Sequence, residues 1–178
     1  MESLRRQIEK QVHSLTGASL GVLDLDQPRG DAGLFGPESM VWKVHADFTA
    51  MMVGGISALL LQMLHPLALA GVWDHSTFRQ DMLGRLRRTS LFIAGTTYGG
   101  LHDAEQLIDK VRRIHLQVVG HAPDGRPYAA SDPELLTWVH VSEVSQFLAG
   151  YLRYVDPQLP VAEQDRYYRE VALIAERL

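Results

Sequence analysis

The sequence contains no cysteine. That excludes disulfides, thiolate-ligated haem, cysteine-held iron–sulfur clusters and cysteine nucleophiles. Any metal has to be held by histidine, carboxylate or another oxygen or nitrogen donor. A long basic block is also missing, and the net charge of −4 gives no reason to expect nucleic acid as a partner. The chain has no G-x-S-x-G, Walker A, G-x-G-x-x-G or H-E-x-x-H pattern. The common signatures of serine hydrolases, P-loop proteins, dinucleotide binders and zinc peptidases are therefore absent. No internal repeat and no low-complexity segment occurs.

What is present is an ordinary globular composition, 46% hydrophobic and 21% charged, in 178 residues, which suits one domain with a real core. The opening "MESLRRQIEKQVHSL" has an arginine pair but no apolar run behind it, so it reads as an amphipathic helix and not as a secretory or twin-arginine signal. The most apolar region is "FTAMMVGGISALLLQMLHPLALAGVW", residues 48–73. Ser57, Gln62, His65 and Pro66 interrupt it, and charged residues flank it closely. A buried core helix bent near Pro66 is the preferred reading over a membrane span. On that basis we expect no integral membrane segment and a cytoplasmic location.

The apolar spacing is helical nearly throughout. Residues 1–36 read as an N-terminal helix followed by a Gly/Pro/Asp-rich connector (16–37), and 37–178 as the functional helical domain. Pro37 opens a short helix through Val44, and a long apolar helix follows to about Leu64. Ser76 is a candidate N-cap. A helix from about Gly84 to Tyr98 stops at Gly99-Gly100, and the next runs from about Ala104 to Val119. Asp124-Gly125 and Pro127 mark a turn or small hairpin. Asp132-Pro133 opens a helix to about Tyr154, and a last helix begins near Val161. That last stretch, "RYYREVALIAERL", shows no C-terminal cap. A frayed end, a partner such as a second copy, and a missing C-terminal segment all fit it. The expected class is all-α, a single bundle-like domain.

One histidine stands inside an apolar stripe. At about 100° per residue, His115 in "VRRIHLQVVG" shares its side with Ala104, Leu107, Ile108, Val111, Val118 and Val119, so it points into the core. A buried imidazole needs a partner. Either a carbonyl or carboxylate hydrogen-bonds it, or it ligates a metal, and an apolar surround suits haem iron in particular. On the preceding helix, Arg85, Arg88, Thr89, Phe92 and Thr96 share a face. Two guanidinia, two hydroxyls and a ring suit a planar, carboxylate-bearing ligand, whereas solvated arginines and back-bonded threonines are the plain alternative. His140 and Glu143 lie three apart on a face with Leu136, Val144, Phe147 and Tyr151, but a diiron bundle needs more carboxylates and a second such pair. His65, at the expected kink, lines a pocket or caps freed backbone groups.

Taken in order, "LLQMLHPLALAGVWDHSTFRQDMLGRLRRTSLFIAGTTYGG", "VRRIHLQVVG", "DGRPYAASDPELLTWVHVSEVSQFLAGY" and "DRYYRE" resemble the family of latex-clearing (rubber) oxygenases and the farnesyl-cleaving oxygenase of mycophenolic acid biosynthesis. The resemblance covers about residues 40–175. It implies an all-helical domain with a globin-like core around haem b, and dioxygen-dependent cleavage of an isoprenoid or other alkene-containing apolar small molecule. By motif, His115 matches the proximal iron ligand, Arg85 and Thr89 match pocket residues, and Arg112 matches an arginine near the haem. Phe92 and the residues around His65 then line the substrate cavity. Arg88 stands where rubber oxygenases carry a distal lysine, and arginine, always protonated, is a poor iron ligand. The family's acidic base has no counterpart, since "HPLALAG" is apolar apart from His65; either His65 or water takes that role, or the chemistry differs. The family domain also continues beyond the equivalent of Leu178, so its C-terminal helices are missing here. Two other classes stay open: a non-catalytic helical binder of a hydrophobic ligand, and a non-haem metal oxygenase using His65, His75, His140 and Glu143.

Overall fold

The computed structural model describes residues 30–178. The amphipathic helix expected at the start, and most of the connector after it, lie outside the described residues. Within them the chain is predominantly helical, with one small two-stranded sheet. It divides into two compact units, one holding 30–34 and Ser76–Leu107 and the other Phe35–His75 and Ile108–Leu178.

The second unit begins with α1 (Met40–His45), whose N-cap Ser39 accepts a hydrogen bond from Trp42 N–H. Asp47 does the same for α2 (Phe48–Gln62), accepting from Ala50 N–H at 2.7 Å. Each such cap contributes about 1 kcal/mol. Pro66 opens α3 (Pro66–His75), where a missing N–H costs nothing. The chain turns by 105° between α2 and α3. The break falls where the sequence placed it, and His65 caps it: its Nδ1 accepts from Ala68 N–H at 3.4 Å. No single helix among the described residues is long and apolar enough to cross a membrane, although the bent pair α2–α3 passes that test of length and composition together.

Ala50, Gly54 and Ala58 recur every fourth residue on α2 and are all buried. They face α6 (Pro133–Tyr154), which starts at an Asp132 cap as its sequence predicts. The two backbones nearly touch. A Cβ on Gly54 would lie 2.6 Å from Gln146 O, and one on Gly150 of α6 would lie 2.6 Å from Ala50 O. The opposite side of α2 is different. Ile56, Leu60 and Leu64 are 55%, 64% and 74% exposed. The apolar stretch is therefore not a helix buried all round. Small residues bury one side, and the large ones stand outside.

After α6 comes α7 (Val161–Ala175), which buries Tyr167, Val171 and Ile174. It closes at Ala175, so the helix does not run to Leu178 as its sequence implied. Glu170 on α7 accepts from Met40 and Val41 N–H at 2.7 and 3.2 Å, tying α7 to the start of α1.

In the first unit, α4 (Met82–Tyr98) is capped by Asp81, which accepts from Gly84 N–H at 2.8 Å, and stops at Gly99. Ser76 is not an N-cap of this helix; its hydroxyl accepts from Phe78 N–H and from the Arg85 guanidinium. Asp31 accepts from Leu101 N–H at 3.0 Å, where α5 (Leu101–His115) begins. Helix α5 runs on into the second unit and ends at His115, four residues earlier than its apolar pattern suggested. Val118 and Val119 leave the helix because β-branched residues before a glycine favour extended backbone. Val119–His121 (β1) pairs antiparallel with Pro127–Ala129 (β2), with Gly120 opposite Tyr128. Gly125, at φ 86°, makes the turn that the Asp124-Gly125 pair promised.

Candidate functional site: an unpaired imidazole at a helix end

His115 is the last residue of α5, and its carbonyl accepts from Val118 N–H at 3.1 Å in the turn that leads to β1. On the same helix Ala104 and Ile108 are buried, so the stripe that pointed His115 inward is the inward stripe. The ring's Nδ1 is buried and has no hydrogen-bond partner among the described residues. Burial lowers the His115 pKa, so the ring is held neutral, with a lone pair free to bind. An unbonded buried ring nitrogen is uncommon, because leaving one unmade bond costs about 1–3 kcal/mol. A neutral, desolvated imidazole is also the state that ligates metal. Of the two roles open to His115 in the sequence, a hydrogen bond from Nδ1 to protein is not made among the described residues, and the chemistry of the ring fits a metal ligand.

The remaining second-unit candidates are occupied otherwise. Arg112 is exposed and pairs with Asp109 at 2.9 Å, one turn back on α5. His65 caps α3, and its ring lies 5.7 Å from that of Trp138. His75 donates from Nε2 to Val119 O at 3.2 Å. His140 and Glu143 share the buried side of α6 with Val144, Phe147 and Tyr151, and burial pushes Glu143 up to about 7. No three His, Asp or Glu side chains among the described residues are gathered so as to hold a metal ion. The set His65, His75, His140 and Glu143 is thus not one cluster.

In the first unit, the α4 residues are internally bonded. Thr89 Oγ1 donates to Arg85 O at 3.2 Å, and Thr96 Oγ1 to Phe92 O at 2.8 Å. The threonines therefore take the plain role, back-bonding to the preceding turn. Arg88 is exposed, donating to Thr77 Oγ1 at 3.0 Å beside Asp81 at 3.7 Å. Arg85 is partly buried; it donates to Ser76 Oγ at 2.7 Å, and its guanidinium lies 5.9 Å from the Phe78 ring centre. Burial, then the positive charge of Arg88, lowers the Arg85 pKa. Phe92 is half-buried.

Two polar clusters escaped the sequence reading. His45 on α1 is buried, and its Nε2 shares a 3.1 Å hydrogen bond with the Tyr167 hydroxyl of α7. Tyr128 on β2 is 5% exposed and donates to Asp74 Oδ2 of α3 at 2.6 Å. Only the glycine opposite Tyr128 in a short hairpin hinted at the second.

Residues 42–178 match the family described as "ER-bound oxygenase mpaB/B'/Rubber oxygenase, catalytic domain". The match spans most of the chain and includes every candidate above, so the protein belongs to this oxygenase catalytic-domain family. No curated protein and no solved structure matches it.

Proposed function

We propose that the protein is a haem-b-dependent oxygenase with a globin-like helical core, acting with dioxygen on an apolar, alkene-containing small molecule such as an isoprenoid. The observation that carries this reading is His115: a half-buried imidazole, its pKa lowered by burial, whose enclosed Nδ1 is unbonded among the described residues, at the position that the family resemblance gives to the iron ligand. When bound, the haem would supply the iron that binds and activates dioxygen.

The chain's own residues hold and shape that centre. His115 would hold the iron. Arg85 and Arg112 carry the positive charge that pairs with propionates; Arg85 is the better placed to be held rigidly, since Ser76 and Phe78 already fix its head. Thr89 donates its one hydroxyl hydrogen to Arg85 O and would turn it away from that carbonyl to bond dioxygen. Arg88 cannot release its proton and so supplies charge instead of a closable iron ligand. The family resemblance assigns substrate contact to Phe92 and to the apolar residues flanking His65, and the uncharged α2 suits the same chemistry.

The test is an absorption spectrum with and without dithionite. The expected result is a Soret band, in the protein as purified or after haem addition, that collapses or shifts in His115→Ala. A protein that stays colourless with added haem overturns the reading. A second reading, an apolar-ligand binder without iron, draws support from the internal bonding of Arg88, Thr89 and His65. Iron analysis of fresh protein separates the two.

A further inference from the structure

The segment that follows His115 is fastened at every residue of its path to β1. Val118 N–H donates to His115 O, and Val118 O accepts from Ala130 N–H at 2.8 Å. Val119 O accepts from His75 Nε2 at 3.2 Å. Gly120 lies under the Tyr128 ring so closely that a Cβ there would stand 2.6 Å from Tyr128 Cζ. One of these holds, His75 on Val119, comes from α3, and the same helix turn braces the Tyr128 ring. His75 is the last residue of α3, its ring edge-on to Tyr128 with centres 6.1 Å apart. Asp74, beside it, takes the Tyr128 hydroxyl hydrogen at 2.6 Å. Gly71, one turn back, leaves room for the face of the same ring, 3.5 Å from where its Cβ would be.

The pattern is unusual for a three-residue hairpin, which is marginal by itself. A tyrosine–carboxylate bond this short is among the stronger hydrogen bonds; here it runs from a buried phenol to an exposed carboxylate and joins two elements 54 residues apart in sequence. Burial, then Asp74, pushes Tyr128 up to about 12, so the phenol keeps the proton it donates. Around it Ala70, Ala122 and Leu135 form a small buried cluster with Val118 packed on its edge. The hairpin is thus locked onto α3, and the locked end is three residues from the candidate ligand.

We infer that Asp74, His75 and Tyr128 form a latch that positions the His115 imidazole. They do not touch it; they fix the backbone turn from which it projects. The inference rests on the proposed role of His115 for its purpose, but the mechanical link is a property of the apo chain. None of the three acts on substrate. Each is a positioning residue, working through Val118, Val119 and Gly120 as an outer shell orients a metal's own ligand.

The test uses the full chain without added haem, labelled at histidine rings and backbone amides, with the His115 ring signal identified by its loss in His115→Ala. Tyr128→Phe should move or split that signal and lower Val118 amide protection by about tenfold or more, with helical content unchanged. Asp74→Asn, which keeps an acceptor, should restore the wild-type pattern, whereas Asp74→Ala should match Tyr128→Phe. Should Tyr128→Phe fail to fold, His75→Ala replaces an exposed side chain and should still shift the His115 ring signal. An unchanged His115 signal in the folded variants overturns the latch. Haem titration then adds a separate arm: the latch variants should bind about 10- to 100-fold more weakly than wild type. If the ring signals shift as expected while even wild type binds no haem, the latch stands and the haem reading falls.

Discussion

His45 is buried whole, whereas His115 is half-buried with its ring Nδ1 enclosed, and burial lowers the pKa of both. His45 sits at the junction of α1 and α7 with its ring nitrogen bonded to Tyr167, edge-on to Phe147 at 5.4 Å and to Tyr167 at 5.8 Å. Burial brings its pKa down to about 3. His115 sits at the end of α5 with Nδ1 enclosed and bonded to nothing among the described residues. One ring is a finished part of a core, and the other is an unfinished contact. The difference separates a ring whose polar atom is satisfied by the protein from one whose enclosed nitrogen is left without a partner among the described residues.

The comparison breaks most visibly by exchanging the losses. His115→Ala should remove the Soret band while leaving thermal stability nearly unchanged, because no protein hydrogen bond is lost. His45→Ala should do the reverse, costing about 2–4 kcal/mol by denaturant titration through the cavity and the stranded Tyr167 hydroxyl, with the spectrum intact. If His45→Ala abolished the band in a folded protein, the division of labour would be wrong.

Acid and base sharpen it next. A folded-state pKa near 3 for His45, against 6.5 unfolded, means that the unfolded chain takes up the proton first. Stability should therefore fall as pH drops from about 6.5 toward 3, and His45→Phe should flatten that limb. Glu143 works in the other direction. Burial raises it from 4.5 to about 7, so its stabilising share is full below 4.5 and lost as pH rises through 7. Glu143→Gln should flatten the alkaline limb, as read by melting temperature across pH.

The seam between α2 and α6 gives a smaller effect. Gly54→Ala gains at most about 1 kcal/mol of helix propensity but drives a methyl against Gln146 O, for an overpacking cost of about 1–3 kcal/mol, so the net change should be a loss of stability. The smallest belongs to Arg112. Its pair with Asp109 is half-exposed on both sides, and Arg112→Ala should change stability by no more than about 0.5 kcal/mol. A larger loss in chemical denaturation would assign Arg112 a structural role.

Local chemistry made much of the fold legible. The Asp132-Pro133 start, the Gly99 stop, the Asp124-Gly125 turn and the break at Pro66 are decided within a few residues by capping and dihedral preference, and each lies where its residues place it. What failed depended on partners far away in sequence. Ser76 has the chemistry of a cap, but Arg85 takes its hydroxyl and Asp81 caps the helix. The stripe through Val119 ignored that β-branched residues pair better as a strand once Ala129 arrives opposite. The apolar residues of α2 announced a buried helix, yet composition does not say which side finds a neighbour; the small residues did, and Ile56, Leu60 and Leu64 did not. Of the candidate site, the inward direction of His115 was readable from helical spacing. The Tyr128–Asp74 bond was not, since nothing local links positions 74 and 128.

The hairpin's register carries a consequence for how the chain can change over time. In a strand, successive side chains alternate sides, so one residue inserted between His115 and Val119 would slide β1 by one step and bring Val119 under the Tyr128 ring in place of Gly120. An isopropyl group has no room where a hydrogen atom barely fits. Lengthening the far turn at Asp124-Gly125, with open space around Gly125, disturbs nothing of the kind. Descent can lengthen one end of this ribbon freely, and the other end keeps its spacing or loses its grip.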